Sequence, residues 1–429
     1  MEAYSEDSNK FITEENLKQI VENCGYTDKE LSFKTYLKHA SDKMLGFIAD
    51  YWRLQIHVTN NKSGSRKVLH FFIKGASKSN EAKANMAKEY NLLEKEVLLY
   101  ATIKKKLDIN DLRPWSPKMI AIIDDDALVF EDLAALQYKL RNKFERFDKP
   151  HTLQALNTLS RFHASSIVYE EKKSKISGRS CFLYNEYSQL TRDLVYTKTN
   201  TWFLQCMNGA LEAIRTYSKY KDNKEALTKI EKSWENIWFS ALELTEISTK
   251  YRNVICHRDL WNNNLMFHYK QSGDCLEPDD CVLVDFQAFK CHPPTGDVMQ
   301  LLYCNLDPVF RETHLNTFLN YYYKQLTVNL ANHGIEINEI LNKQDFLASA
   351  EEMTKWGLVS CACLIQLFWV DDELTTETFS DSEQFNQIMS ENKGEFLKKM
   401  MSINEDYKNK VLGIFEEIVE KYCIPELAK

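Results

Sequence analysis

The 429-residue chain has no C-x-x-C pair among its 11 cysteines, no G-x-G-x-x-G loop, no internal repeat and no low-complexity tract. An odd number of scattered cysteines reads as reduced thiols, not as a disulfide framework. A basic surface is also missing. The net charge of -8 and pI ≈ 5.8 argue against a nucleic-acid partner. No apolar run is long enough to span a bilayer. The opening Met1-Glu2-Ala3-Tyr4-Ser5-Glu6 shows no basic-then-apolar leader, and Glu2 to Asn9 is expected to fray. These absences point to a cytoplasmic protein with no membrane or nucleic-acid partner.

What is present suffices for a folded interior, with 44% hydrophobic and 12% aromatic residues. The length exceeds that of a usual single core, so two lobes are expected. One stretch carries chemistry. Val254 to Phe286 reads V-I-C-H-R-D-L-W-N-N-N-L-M-F, then a polar loop, then C-V-L-V-D-F. Asn264 follows Asp259 by five positions. The apolar run Val282 to Val284 reads as a buried strand ending on Asp285. Phosphoryl transfer asks for an Asp near the acceptor hydroxyl, oxygen ligands for Mg²⁺ and a cation on the phosphates. H-x-D-x-x-x-x-N followed by a strand-terminal D-F has the spacing that supplies these parts. A polar turn capping a hairpin would explain H-x-D alone, but not the ordered set.

Upstream, Thr13-Glu14-Glu15 opens a helical pattern through Leu17, Ile20 and Val21 that stops at Gly25. Gly46 precedes a strand running to Ile56, a weak phosphate-loop signal that an ordinary turn explains as well. A second strand, Lys67 to Lys74, follows. A helix is expected from about Glu81 to Lys106, with Met86, Tyr90, Leu93, Val97 and Tyr100 in one stripe. Glu96 lies beside that stripe. A strand lysine followed by a helix glutamate is the pairing that holds a lysine against nucleotide phosphates. Alone, Lys74 and Glu96 read as solvated charges; the downstream loop favours the functional reading. Met119 to Ile123 and Ala127 to Phe130 form a hairpin across the turn Asp124-Asp125-Asp126. Glu131-Asp132-Leu133 then stands where a hinge would offer backbone groups to adenine, a placement by order alone. From His151 the chain turns helical, with Arg161-Phe162-His163-Ala164 closing that segment. Gly296-Asp297 reads as a helix start with a capping carboxylate.

These pieces together resemble the ecdysteroid kinase-like (choline/aminoglycoside kinase-like) phosphotransferases. The matching residues are Gly46 to Ile56, Ile73-Lys74, Glu96 with Tyr100, Phe130 to Leu133, Arg161 to Ala164, His257 to Asn264, Asp285-Phe286-Gln287 and Gly296-Asp297. They cover most of the chain, and the wording of Trp261 to Asn264 is specific. The chain departs at Arg258, where the family often has Gly.

The resemblance implies an α+β, bilobal protein-kinase-like (aminoglycoside phosphotransferase-like) fold. Residues 1–130 would form a small β-rich nucleotide-binding lobe, and 131–429 a large helical lobe for catalysis and substrate. It implies ATP and Mg²⁺ as cofactors and a small-molecule hydroxyl acceptor, with ecdysteroids or related lipophilic or xenobiotic alcohols favoured. A monomer with a detoxifying role is the corresponding expectation. Asp259 would act on the acceptor hydroxyl, and Asn264 and Asp285 would hold Mg²⁺. Lys74, positioned by Glu96, would bind the phosphates, with Gly46, Glu131 and Leu133 also facing the nucleotide. His257 and Asp297 would tie the catalytic loop to neighbouring backbone.

Independently of the resemblance, Asp285 and Asp297 are too close for a peptide-seating activation segment, and no A-P-E follows. Trp261 stands two residues after Asp259, where protein kinases usually carry Lys. Both features favour a small-molecule substrate. Other readings stay open: choline or a similar cation as acceptor, a catalytically silent kinase-fold binding protein, and a zinc site. The last would draw on Cys256, His257, Cys275, Cys281, Cys291 and His292, whose spacings fit no common zinc pattern.

Overall fold

The computed structural model describes residues 12–28, 30–41, 45–109, 112–124, 126–273 and 275–426. The fraying expected of Glu2 to Asn9 and the middle of the acidic turn, Asp125, lie outside these residues. The strands are β1 (Leu31–His39), β2 (Ala49–Asn60), β3 (Arg66–Ala76), β4 (Met119–Ile123), β5 (Ala127–Glu131), β6 (Lys139–Leu140), β7 (Val254–Cys256), β8 (Leu265–Ser272), β9 (Cys275–Leu283) and β10 (Lys290–His292).

The first five form one antiparallel sheet in the order β1-β2-β3-β5-β4. Alternation makes it two-faced. Leu54, Ile56 and Val58 on β2 and Phe71 and Ile73 on β3 point to one face and are buried. The helix Glu14–Asn23 covers that face with Ile20 and Val21. Its start is fixed by a capping box: the Thr13 hydroxyl accepts from the Asn16 amide, and the Asn16 side chain accepts from the Thr13 amide. The opposite face, with Tyr51 and Lys74 paired across β2 and β3, looks into a cleft.

The single helix expected over Glu81 to Lys106 is instead broken. Helical turns run over Glu81–Glu89 and Leu92–Leu98, then loosen to a π turn at Leu99–Ile103. Asn91 between the first two adopts a left-handed conformation with φ 51°. Asn tolerates that region better than other side-chain-bearing residues. The apolar stripe survives the break, which is why periodicity did not reveal it.

After Glu131 the chain is mostly helical. The helix Lys149–Ser177 starts on the Asp148 side chain with a proline in its first turn, and ends at left-handed Gly178. Arg161 to Ala164 therefore sit in mid-helix and do not close it. This helix, together with Thr201–Tyr217, Lys224–Glu243, Thr295–Asn305, Pro308–Ala331 and Lys343–Phe368, encloses one large core. Two small sheets ride on it, β7 with β10, and β6-β8-β9. The β-rich first lobe and helical second lobe are the expected bilobal kinase-like fold. Among the described residues no single helix is long and apolar enough to cross a membrane, and Trp356 to Val370 is interior.

Candidate active site

Two local rules bring the chemistry-bearing residues together. First, β8 and β9 are an antiparallel hairpin with Leu265 opposite Leu283. The residue before β8, Asn264, therefore meets the residues after β9, and the Val284 amide donates to the Asn264 carbonyl at 3.0 Å. Asp285 comes next, in a left-handed conformation (φ 66°) that turns the chain out of the strand. Second, β7 feeds directly into His257-Arg258-Asp259, and a short 3₁₀ turn over Asn262–Asn264 returns the chain to β8. The Asn264 amide nitrogen donates to both the backbone carbonyl and the side chain of Asp259, each at 2.8 Å.

From the first lobe, Lys74 reaches across. Its Nζ lies 2.5 Å from Glu96 Oε2 and 2.5 Å from Asp285 Oδ1. Burial opposes its charge, but Asp285 and Glu96 outweigh burial and hold it well above the usual lysine range. The other oxygen of Glu96 accepts from the Phe286 amide at 3.1 Å. Glu96 thus fixes both the lysine and the turn after Asp285. Phe286 is fully buried against the rings of His257, Trp115 and Phe162.

Asp259 has one carboxylate oxygen on Asn264, and the other, Oδ1, is buried with no partner. Burial, then the neighbouring Asp285 charge, raises its pKa to about 8. A carboxylate so placed is disposed to take a proton. His257 is neutral, because burial lowers its pKa. Its Nε2–H donates to the Val284 carbonyl, and its Nδ1 accepts from the Asp259 amide. The expected helix-capping role of Asp297 is not what the structure shows. No side chain caps Thr295–Asn305. The Asp297 carboxylate instead accepts from the His257 and Arg258 amides at 2.6 and 3.0 Å, and His163 Nε2 lies 3.2 Å away. Paired backbone donors outcompete its own helix end.

Arg258 is fully buried and left-handed, φ 68°. That conformation costs a non-glycine residue about 1–3 kcal/mol.

Lys74, Glu96, Asp259, Asn264, Asp285, Gly46, Glu131 and Leu133 all line one cavity of ≈ 480 Å³. At Gly46 a Cβ would stand 2.5 Å from the Tyr51 hydroxyl, so any other residue there would have to displace the Tyr51 ring. The Glu131 carboxylate is turned to the Lys118 amide at 2.8 Å. The oxygens of Asn264 and Asp285 are hard donors, and the Asn264 NH₂ is already used on Asp259, which leaves its oxygen for a ligand. That donor set fits Mg²⁺. The six residues weighed for zinc do not converge. Cys275 is exposed on the hairpin, and Cys281 is core. Among the described residues, ligand atoms of His163, Cys256 and Asp297 do come within reach of one another, but Asp297 is already committed to three N–H groups.

Sequence reasoning did not find Tyr51, or the far end of the cavity. There Tyr196, Trp202, Trp261, Phe368 and Met389 form an aromatic and apolar wall. Trp261 and Phe368 stack with centroids 4.1 Å apart and planes 5° from parallel. Their positions in sequence look like ordinary core; only Trp261, beside Asp259, carried a signal.

Among solved structures the chain is similar to a choline kinase from Cryptosporidium parvum Iowa II, at 11% identity and TM-score 0.39, with 94% of each chain covered. It is also similar to the GDP complex of wild-type aminoglycoside 2'-phosphotransferase-IIIa, at 12% identity and TM-score 0.37, covering 95% of this chain and 98% of that one. Both are too distant to bear on function. A curated relative, the uncharacterized oxidoreductase dhs-27 of Caenorhabditis elegans, is 26% identical over 157 residues, 34% of this chain. The match spans only 19% of that relative's length. The model of the ecdysteroid kinase-like family matches residues 43–335, more than half of the sequence and every polar residue of the cleft described above, so the chain belongs to the ecdysteroid kinase-like family.

Proposed function

We propose that this protein is an ATP- and Mg²⁺-dependent small-molecule kinase whose acceptor is a hydroxyl on a lipophilic alcohol, with ecdysteroids the favoured class. One observation carries the reading: Lys74 bridges Glu96 and Asp285 in the same cavity into which Asp259 and Asn264 project. In this reading ATP lies between the lobe of residues 1–130 and the lobe of residues 131–429, near Gly46, Glu131 and Leu133. Lys74 contacts its phosphates, and Asn264 and Asp285 hold Mg²⁺, which when bound neutralises phosphate charge. Asp259 accepts the acceptor's O–H proton as the oxygen bonds to the γ-phosphorus. The bond from that phosphorus to the bridging oxygen breaks, and ADP leaves. The apolar wall beyond Asp259 supports a lipophilic acceptor, since such sites combine apolar lining with few placed polar groups.

The test is ATP consumption by the purified protein against ecdysteroids, choline, aminoglycosides and plant phenolics, with the product identified by mass. A product heavier by one phosphoryl group in the ecdysteroid arm is the expected result. Phosphorylation of choline or an aminoglycoside alone would replace the acceptor class. Mg-ATP binding with transfer to none of them would identify a silent kinase-fold binding protein.

A further inference from the structure

Arg258 occupies a strained position in the lining of the cavity, yet its side chain makes no hydrogen bond to Lys74, Asp259, Asn264 or Asp285. The guanidinium runs into the second lobe and pairs with Asp193. It lies 5.2 Å over the Tyr196 ring and 5.0 Å over the Trp356 ring. Its backbone is held at both ends: the amide donates to Asp297, and the carbonyl accepts from Gln300 at 2.9 Å. The side chain is therefore a rigid rod projecting from the residue beside Asp259.

Asp193 is the receiving end. Its other oxygen accepts from the amides of Val195 and Tyr196, each at 3.0 Å. Both of these residues line the cavity, and Tyr196 meets Trp202 and Trp356 edge to face. Burial works to raise the Asp193 pKa, but Arg258, Lys290 and Lys95 outweigh it and keep the group charged. Of the three cations only Arg258 pairs with the carboxylate directly; Lys290 pairs with Glu246. The segment around Asp193 has little regular structure of its own, with a 3₁₀ turn at Ser188–Leu190 and no further helix before Thr201.

We propose that Asp193 and Arg258 are positioning residues that lock the acceptor-side wall, Val195 and Tyr196, to the catalytic loop, so that acceptor binding and Asp259 share one rigid frame. A glycine at position 258 would leave that wall free. The proposal rests on the kinase reading for its description of this wall as the acceptor side; the tie itself is measurable without any acceptor.

The experiment compares full-length wild type with Asp193→Asn, Arg258→Gly and the double variant. Arg258→Gly relieves the left-handed strain but strands the Asp193 carboxylate, as Asp193→Asn strands the guanidinium; the double variant removes both charges and keeps the test open where a single variant fails to fold. Amide hydrogen exchange, with neither nucleotide nor acceptor present, should rise about tenfold or more over residues 191–197 in both single variants. It should stay high in the double variant even where the melting temperature recovers. Mg-ATP affinity should stay within about twofold of wild type throughout. With an ecdysteroid as acceptor probe, its KM should rise about tenfold while kcat changes less. Wild-type exchange at 191–197 in Arg258→Gly, or full recovery of that segment in the double variant, would overturn the proposal. So would exchange rising equally across the helical lobe. Wild type that transfers nothing to the ecdysteroid would count against the acceptor reading alone, and the exchange result would still decide the tie.

Discussion

At one end of the cavity Lys74 holds Glu96 and Asp285 by charge, with the Asp259 carboxylate close enough to feel Asp285; at the other, Tyr196 meets Trp202 and Trp261 meets Phe368 ring to ring, with Met389 in the same lining. The charged end has few solutions. A buried ammonium needs carboxylates at contact distance, and a carboxylate between them needs donors, so residue types and offsets are tightly specified. The apolar end has many solutions, because any side chains of suitable volume fill it. Chemistry is fixed at the first end and substrate choice is free to drift at the second. Mutations that test each end should therefore differ in kind as well as size.

The largest effect is expected from Lys74→Met. It leaves Glu96 and Asp285 facing each other without a cation. Breaking a buried pair from one side costs about 3–5 kcal/mol. Denaturant unfolding should show that loss, and Mg-ATP affinity should fall with it. A variant as stable as wild type would mean that the charged end is solvated and no more constrained than the apolar one.

Asp259→Asn should act on rate alone. Removing a general base typically costs about 10²–10⁴ in kcat, roughly 3–5 kcal/mol of barrier. The Asn amide is close in size and can remain against Asn264, so Mg-ATP binding should hold within a few-fold. Equal turnover in mutant and wild type would remove Asp259 from the mechanism.

The same contrast explains what the sequence could say in advance. Asp259, Asn264 and Asp285 were legible because a loop and a hairpin fix their spacing, and Lys74 and Glu96 because a strand and a helix do. Arg258 and Asp193 meet across 65 positions through irregular chain, and no local period records that. Tyr196, Trp202 and Phe368 have the same alphabet as the core around them. The break at Asn91 kept the apolar stripe intact and so left no trace. Asp297 was expected both to cap its helix and to tie the catalytic loop to backbone; only the tie is made, through the amides of His257 and Arg258.

Acid should separate the two ends next. His292 on β10 lies beneath the catalytic loop, fully buried, and burial together with the Arg258 charge depresses its pKa to about 3. Its Nε2 has no partner. An unfolded histidine titrates near 6.5. Between those values the unfolded chain binds the proton and the folded one does not. The stability from keeping His292 neutral is thus complete above about pH 6.5 and is lost as pH falls, by at most about 1.4 kcal/mol per unit. Near pH 5 the loss is about 2 kcal/mol. His257, also lowered by burial, adds in the same direction. Hydrogen exchange at pH 5, corrected for the intrinsic rate, should therefore rise over 254–258 and 290–297 before it rises over 364–368. Simultaneous loosening would show that the two ends share one cooperative unit.

The smallest effect is expected from Phe368→Leu at the apolar end. Phe368 contributes a stacked face to Trp261, and such ring pairs are worth about 0.5–1.5 kcal/mol beyond burial. Leucine keeps the site apolar, and near-isosteric swaps usually cost less than about 1.5 kcal/mol. Unfolding should register little. The wall touches no reacting atom, so its change falls on binding of the acceptor in ground and transition state alike, which moves KM and leaves kcat in place. One methylene in an apolar pocket discriminates by about 1–3 kcal/mol, enough to reorder a panel of alcohols. Nucleotide KM should not move, because the charged end is assembled from different elements. A changed kcat with every acceptor would instead mean that Trp261 carries the stack into the catalytic loop, and that the two ends are coupled through it.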